Sequence, residues 1–226
     1  MLQLTQKLGS GDMIVQEVPI PQVEEGMILV KNHFSVISAG TEGTTVTSAR
    51  KNYLQKAREK PKQVKLVIDT LKATGPVQTY RAIKKKLDAY SPLGYSSSGE
   101  VIATGNGISE FKVGDLVACA GIGYANHAEV IAVPQNLCVR LDNNANLKLA
   151  SYNTLGAIAL QGIRQADLKL GESCVVIGLG LIGQLTCQML KASGVEVLGI
   201  DVSKSSVDIT KKHCTSNAWE RNVLGL

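Results

Sequence analysis

The sequence of 226 residues contains no apolar run near the roughly 20 residues that a membrane-spanning helix needs. Its start, Met-Leu-Gln-Leu-Thr-Gln-Lys, lacks the basic residues and long apolar stretch of a signal peptide. It has no internal repeat and no low-complexity segment. With 44% hydrophobic residues and a mean hydropathy of +0.07, the composition predicts a globular cytoplasmic protein of one or two domains, without a membrane partner.

Cysteine pairs with a metal-binding spacing are also missing. The five cysteines are odd in number, and none belongs to a C-x-x-C or C-x-x-H pair. Such pairs are typical of zinc sites, and even numbers of cysteines are typical of disulfide frameworks. We therefore expect reduced thiols, several of them buried as small apolar side chains, at Cys119, Cys138, Cys174, Cys187 and Cys214.

Positive charge is concentrated in one segment. Between Arg50 and Asp88 there are twelve Lys or Arg and three Asp or Glu; since the chain total is +5, this local excess of nine leaves the remainder at −4. Apolar residues recur at helical spacing after Pro61 and Pro76, which predicts two or three basic amphipathic helices over residues 47–90. Few aromatic residues accompany them, so helices packed on the rest of the protein are favoured over a nucleic-acid-binding arm.

The segments around these helices have β character. The first 46 residues include apolar strands at Met13–Val18 and Met27–Val36, and β patterning returns between residues 92 and 134. Residues 147–166 have the apolar spacing of a helix. The polar cluster Asp142–Asn146 precedes it, so we expect one domain over residues 1–146 and a second over residues 147–226.

Residues 174–201 contain each part of a dinucleotide-binding β-α-β unit in order. A short apolar run at 175–177 predicts a buried parallel strand, and a G-x-G-x-x-G turn follows it. Gly178 permits the sharp turn, Gly180 has no Cβ to block a pyrophosphate, and Gly183 lets the helix pack closely on the strand. The phosphates would bind at the helix N-terminus, where unpaired N–H groups favour an anion.

Asp201 follows the second strand of this unit. A carboxylate there accepts hydrogen bonds from the adenosine ribose hydroxyls and repels a 2′-phosphate, so it favours NAD over NADP. Lys204 lies close enough in sequence to weaken that preference. The alternative is a glycine-rich turn without a ligand. The expected cofactor-binding residues are Gly178, Leu179, Gly180, Leu181, Ile182, Gly183, Asp201 and Lys204.

The stretch Gly94–Val101, followed by Gly105–Gly107 and Phe111–Asp115, resembles the medium-chain dehydrogenase/reductase superfamily, the relatives of zinc alcohol dehydrogenases. The resemblance implies a GroES-like β-barrel domain, here with the helical insert, followed by a Rossmann domain of α/β class. More narrowly, Ser38–Glu42, the basic insert and Leu155–Arg164 resemble the medium-chain half of bi-domain oxidoreductases. In that group the second half is of the glucose-fructose oxidoreductase and inositol dehydrogenase type.

The sequence departs from the zinc-dependent members of this superfamily. They carry a Cys ligand after the third strand and a Gly-His-Glu later, whereas this chain has Ser38 near the first place and Tyr95 and Ser96 at the second. Neutral hydroxyls are poor zinc ligands, and the four-cysteine zinc lobe is absent as well. We therefore expect no zinc.

Without zinc, a hydroxyl or imidazole must polarise the substrate carbonyl or move its proton. Tyr95 is the first candidate, because it replaces a metal ligand in a loop that the resemblance places on the nicotinamide side. The resemblance also places Ser38, Thr41 and Glu42 there, and His127 lies on a later turn. Each has a structural alternative: His127 capping a strand, Ser38 holding a turn, Glu42 as a solvated carboxylate.

The second domain is short for a Rossmann fold, which needs roughly 130 to 150 residues. Two strands are predicted after Gly171, and residues 217–226 resemble the beginning of a third that is not completed. We expect an incomplete domain whose strand at Val195–Ile200 has an unpaired edge. Such an edge favours homo-oligomers or a loosely held C-terminal segment, and poor NAD binding.

The sequence therefore predicts the N-terminal portion of a zinc-independent, NAD(P)-dependent oxidoreductase. It would transfer hydride to or from a carbonyl or alcohol of a small-molecule substrate, with an activated alkene as the less favoured acceptor. The alternative is a non-catalytic nucleotide-binding or interaction module with a basic helical arm.

Overall fold

The computed structural model describes residues 1–50, 58, 61–169 and 171–221. The chain divides into two compact units, with the division between Ser151 and Tyr152. Within the described ranges, no helix is both long enough and apolar enough to span a membrane.

The first unit is built on two antiparallel sheets. Its strands are β1 (Leu2–Lys7), β2 (Met13–Glu17), β3 (Met27–Ser35), β4 (Tyr90–Pro92), β5 (Ser96–Thr104), β6 (Leu116–Ala120), β7 (Val130–Pro134) and β8 (Cys138–Arg140). One sheet has the order β2-β1-β4 and the other the order β7-β3-β5-β6-β8. Since β7 and β8 are edge strands, the described strands form an open five-stranded sheet, and the expected barrel is not confirmed.

The core of this unit lies on one face of the five-stranded sheet. Ile28 and Val30 of β3 are fully buried against Val101 and Val117, as the alternating pattern predicts. The same pattern predicts Phe34 in the core, but its side chain is 43% exposed. The pairing of β3 with β5 shifts register between Asn32 and Phe34, and such a β-bulge turns the following side chain to the other face.

The described residues of the first unit include four helices, namely α1 (Ala39–Arg50), α2 (Pro61–Thr74), α3 (Pro76–Asp88) and the short α4 (Leu147–Ala150). The two helices predicted after prolines are confirmed as α2 and α3. Their apolar stripes stay largely exposed, however, with Leu66 at 63% and Tyr80 at 66%, so the expected packing of these stripes on the β domain is not observed. Residues 51–57, 59 and 60 of the insert lie outside the described residues.

The β assignment of residues 39–46 is wrong, because these residues begin α1. Threonine is enriched in strands and misled the prediction. In the structure, the hydroxyls of Thr44 and Thr47 donate to the carbonyl oxygens of Gly40 and Gly43 at 2.6 and 2.7 Å. These bonds to the preceding turn accommodate threonine in a helix.

The second unit is a parallel βαβαβ fold. Its elements are α5 (Asn153–Ala166), β9 (Ser173–Ile177), α6 (Leu181–Ala192), β10 (Glu196–Asp201), α7 (Lys204–His213) and β11 (Ala218–Glu220). The strand order is β11-β10-β9. Buried residues of the strands and of α6 and α7, among them Val176, Leu190, Val197 and Val207, form its core.

The prediction of an unpaired strand at 195–200 is wrong. Strand β11 pairs in parallel with β10, placing Trp219 beside Ile200 and Glu220 beside Asp201, so β10 is the central strand. The sequence predicted the beginning of a third strand at residues 217–226 but not its completion, and the three-residue strand β11 forms there. Self-association stays a prediction, but an unpaired edge of β10 can no longer be its cause.

The apolar face of α6 is partly covered. Helix α5 packs on α6, with Gly156 close to the methyl end of Met189, and both Leu185 and Met189 are half-buried.

The described thiols differ strongly in environment. Cys119, Cys187 and Cys214 are buried. Burial raises the pKa of Cys187 to about 11 and also raises the pKa of Cys214. The pKa of Cys119 is raised by its hydrogen bond with Cys138, whose sulfur lies 3.8 Å away, and further by burial.

We therefore predict that a disulfide reagent at pH 8 titrates two thiols of the native protein, Cys138 and Cys174, much faster than the other three. The thiolate is the reacting form, and burial both blocks access and keeps the thiol protonated. Titration with and without denaturant, with peptide mapping of the labelled sites, checks this. Rapid labelling of all five sites in the native protein would contradict the buried placement.

Candidate functional site

The glycine turn after β9 has the geometry expected of a nucleotide-binding turn. Gly178 has a φ of +92°, a left-handed conformation that L side chains rarely adopt. A Cβ at Gly183 would lie 1.9 Å from the carbonyl oxygen of Gly178, so only glycine allows α6 to approach the turn this closely. A Cβ at Gly180 would point into open space, with no atom within 4 Å. That space adjoins the first turn of α6.

Helix α6 begins without a side-chain cap. Gly180 precedes it in extended conformation. Because glycine has no side chain, this residue offers no side-chain acceptor to the N–H groups of the first turn. The amides of Leu181, Ile182 and Gly183 therefore occupy the positions where a helix has N–H groups without intrahelical partners. Leu179, by contrast, is 1% exposed and belongs to the core, so its side chain is structural.

Asp201 makes two backbone contacts that the sequence did not predict. One carboxylate oxygen accepts from the N–H of Leu179 at 2.5 Å, and the other accepts from the N–H of Ser203 at 2.7 Å. The carboxylate thus ties the glycine turn to the beginning of α7. An ionised carboxylate has about four acceptor sites, so two backbone donors do not exhaust it. Lys204, the first residue of α7, is exposed.

In the first unit, the structure brings together two predicted catalytic residues from distant parts of the chain. Nε2 of His127 lies 3.0 Å from Oε1 of Glu42, and these side chains are only 8% and 11% exposed. Nδ1 of the same ring lies 2.8 Å from Oγ of Ser35. Glu42 is therefore not the solvated carboxylate of the alternative interpretation, and both ring nitrogens of His127 have polar partners.

The backbone on both sides holds His127 in this position. Its N–H donates to the carbonyl of Leu93, and its carbonyl accepts from the N–H of Leu4, both at 2.8 Å. Gly94, with a φ of +103°, lies against the same segment, and a Cβ there would come within 2.6 Å of the His127 nitrogen. The loop that carries Tyr95 and the loop that carries His127 are therefore in direct backbone contact.

Two of the remaining predicted catalytic residues, Tyr95 and Ser38, are described in the structure. Tyr95 and Ser38 are buried, and the carbonyl of Ser38 accepts from the N–H of Glu42 at the start of α1. The hydroxyl of the fully buried Ser96 donates to the carbonyl of Ser151 at 2.6 Å. The side chain of Thr41 lies outside the described residues.

Sequence analysis missed Ser35. The alternation of β3 assigned it to the polar face, and no motif distinguishes it from other strand serines. It meets His127 only because the fold brings the end of β3 to residue 127, 92 positions later. The one signal for it is chemical. The ring of His127 has two nitrogens, and a partner for the second one requires a group such as this hydroxyl.

Among the described residues, no group of three or more His, Cys, Asp or Glu side chains is arranged to hold a metal ion. The Ser96 hydroxyl donates to a backbone carbonyl. The donor set of the described site is thus hydroxyl, imidazole and carboxylate.

The chain is similar in sequence to curated reductases and dehydrogenases. It is 28% identical over 156 residues to the probable D-xylulose reductase A of Aspergillus clavatus, a match covering 57% of this chain and 44% of the relative. It is 31% identical over 123 residues to the D-guloside 3-dehydrogenase of Shigella flexneri, covering 54% of this chain and 35% of that protein. The chain thus matches less than half the length of these relatives. No protein-family model matches it.

Solved structures resemble nearly the whole chain. Galactitol-1-phosphate dehydrogenase from Escherichia coli has a TM-score of 0.75 at 18% identity, covering 99% of this chain and 62% of that one. The quinone oxidoreductase of the same organism, solved with NADPH, has a TM-score of 0.70 at 17% identity, covering 98% and 59%. At these identities the likeness establishes the mixed α/β fold.

Gly180 and Gly183 allow a matched test of stability. We predict that Gly183→Ala lowers the free energy of unfolding by about 1 to 3 kcal/mol, because the new methyl group meets a backbone oxygen that cannot move aside. Gly180→Ala meets nothing and should change it by less than about 0.5 kcal/mol. Urea unfolding of the three proteins measures both values, and equal losses would show that the close approach at Gly183 is misplaced.

Proposed function

We propose that this chain, a member of the medium-chain dehydrogenase/reductase superfamily, provides the cofactor-binding unit and the acid–base residues of an oxidoreductase that transfers hydride between a nicotinamide cofactor and a carbonyl or alcohol. The observation that carries the proposal is the unit β9, glycine turn, α6 and β10. It has the left-handed Gly178, open space beside Gly180, and a carboxylate at the C-terminal end of β10. These are the parts with which parallel sheets bind dinucleotides.

The turn fits the pyrophosphate of a dinucleotide, because the space that a Cβ at Gly180 would fill is open. The first amides of α6 would hold the phosphates, and Asp201 would accept from the adenosine ribose. NAD is proposed over NADP, since the Asp201 carboxylate repels a 2′-phosphate, although Lys204 is close enough to reduce the preference. When bound, the nicotinamide supplies the hydride acceptor or donor.

His127 with Glu42 is the proposed acid–base pair. An ionised carboxylate only accepts hydrogen bonds, so the contact with Oε1 of Glu42 places the ring proton on Nε2 and leaves Nδ1 as the basic nitrogen. Alcohol oxidation then releases one hydride to the cofactor and one proton to this pair, and carbonyl reduction runs the reverse way. Tyr95, Ser38 and Thr41 stay as proposed substrate-polarising hydroxyls.

The proposed reaction needs no zinc. Serine and tyrosine hydroxyls at positions 38, 95 and 96 are poor ligands for that ion. Buried hydroxyls and an imidazole can instead polarise the carbonyl and move its proton, the task that a metal performs in other members.

The proposed substrates are secondary alcohols of polyols or sugars, and the corresponding ketones. The relatives named above include a D-xylulose reductase and a D-guloside 3-dehydrogenase, which support this class. The alternative of a non-catalytic interaction module is not favoured, because these relatives are enzymes.

We predict that NADH binds the protein more tightly than NADPH and that Asp201→Asn weakens NADH binding by about tenfold or more. A hydrogen bond to a charged group is worth roughly 1.5 to 3 kcal/mol, and the substitution removes that charge while preserving shape. Cofactor fluorescence titration measures the affinities, with Asp208→Asn, an exposed aspartate of α7, as the matched control. Equal affinities for the two cofactors would exclude the role of Asp201.

We also predict that His127→Gln lowers kcat by about 10²- to 10⁴-fold, the range for a lost general acid–base group, while NADH affinity is unchanged. His33→Gln, at an exposed histidine of β3, is the control and should retain kcat. Turnover is measured by NADH absorbance with a panel of polyols and sugars. Full activity of the His127 variant would rule out this residue as the acid–base group.

Elemental analysis should find less than one-tenth of an equivalent of zinc per chain in active protein purified without added metal. A full equivalent that is lost together with activity on chelation would contradict the zinc-independent mechanism.

A further inference from the structure

We propose that Ser35 carries the proton between the buried His127–Glu42 pair and solvent. The role of Ser35 in turnover rests on the proposed function. Proton exchange between His127 and water through Ser35 does not. Ser35 is the partner of His127 that is partly exposed, and it lines a surface cavity of about 310 Å³ together with His127. It is a positioning and proton-relaying residue for the pair.

Both nitrogens of the imidazole ring are already engaged. Glu42 takes the Nε2 side at 3.0 Å and Ser35 takes the Nδ1 side at 2.8 Å. A proton that passes between the ring and solvent therefore travels through one of these two side chains. The Glu42 carboxylate is nearly buried, at 11% exposure, whereas Ser35 borders the cavity. The hydroxyl of Ser35 is consequently the shorter route to water.

The hydroxyl is suited to this task because it donates and accepts at once. With the ring neutral, Ser35 donates its proton to Nδ1. For uptake, the Ser35 hydroxyl turns away from Nδ1, which takes the proton directly from the alcohol. For release, Nδ1–H donates to Oγ of Ser35 while the Ser35 proton passes to a water molecule. One proton leaves for each one taken up, and the serine is unchanged after it reorients.

The cavity is a shallow surface depression with both polar and apolar walls. Its polar side includes Asn32, His33 and Glu129, and its apolar side includes Leu2, Leu4 and Phe34. Asn32 donates to the carbonyls of Asn126 and Ala128 at 3.0 and 2.9 Å, which fixes the segment on both sides of His127. The bulge of β3 that exposes Phe34 also sets the position of Ser35.

Titratable groups other than the His127–Glu42 pair also face this region. His33 and Glu129 line the cavity, and a carboxylate oxygen of Glu129 accepts from the N–H of Leu2 at 2.8 Å. Tyr95 lies in the loop packed against the His127 backbone. Because His33 could itself exchange protons with cavity water, it provides the matched control.

The first test measures proton exchange without any turnover. The chain has three histidines, so ¹⁵N NMR resolves each ring, and the two exposed ones, His33 and His213, serve as internal standards. We expect Ser35→Ala to slow exchange of the His127 ring proton with water at least fivefold, and Ser35→Thr to restore it. His33→Asn should leave it unchanged. An unchanged exchange rate in a folded Ser35→Ala protein overturns the proposal, whether or not the protein is an oxidoreductase.

The second test uses turnover. In weak buffer, Ser35→Ala should lower steady-state kcat about tenfold but leave the first turnover fast, and small proton carriers such as imidazole should restore kcat. Wild type and His33→Asn should be insensitive to such carriers. A loss of kcat that no carrier restores overturns the relay role. A wild-type protein inactive with every substrate would instead contradict the proposed function, and the exchange rate measured by NMR would then decide the path by itself.

Discussion

Close contact between backbone segments, possible only at glycine, determines both candidate sites. In the second unit Gly183 brings α6 against the carbonyl of Gly178, and the helix start then lies directly beside the turn. In the first unit Gly94 allows its loop to meet the backbone of His127, and Gly99 brings β5 within a similarly short distance of Lys31 in β3. A side chain at any of these positions would separate the elements whose ends form the sites.

These contacts fix where charge can be accommodated. The carboxylate of Asp201 is satisfied by two backbone N–H groups, and that of Glu42 by the ring of His127. A buried carboxylate is stable only with hydrogen-bond partners. Each of these carboxylates therefore requires particular donors beside it. The first ties the glycine turn to the beginning of α7, and the second holds the ring of His127 in place.

The nucleotide-binding unit could be predicted because its signals are local. Glycine spacing, apolar runs and the position of Asp201 all lie within 28 consecutive residues. The glycine turn has the backbone conformation that this spacing predicts. The histidine cluster could be predicted only in part. Glu42 was a candidate by resemblance and His127 by its place on a later turn, but their contact spans 85 residues and depends on the register of β3, including a bulge that no residue pattern predicts. The same dependence on pairing explains why the third strand was predicted to begin at residues 217–226 but not to be completed, since the three residues of β11 carry too little periodicity to predict a strand.

The central proposal is that the chain contributes the cofactor-binding unit and acid–base residues of an oxidoreductase that transfers hydride to a nicotinamide ring. It is tested most directly with NAD and polyols deuterated at the carbinol carbon, followed by NMR of the cofactor. The account predicts deuterium at C4 of the reduced nicotinamide, on one face of the ring, because a bound substrate delivers its hydride without exchange with water. Reduced cofactor that carries no deuterium, or no reduction with any polyol or sugar of the panel, would contradict it.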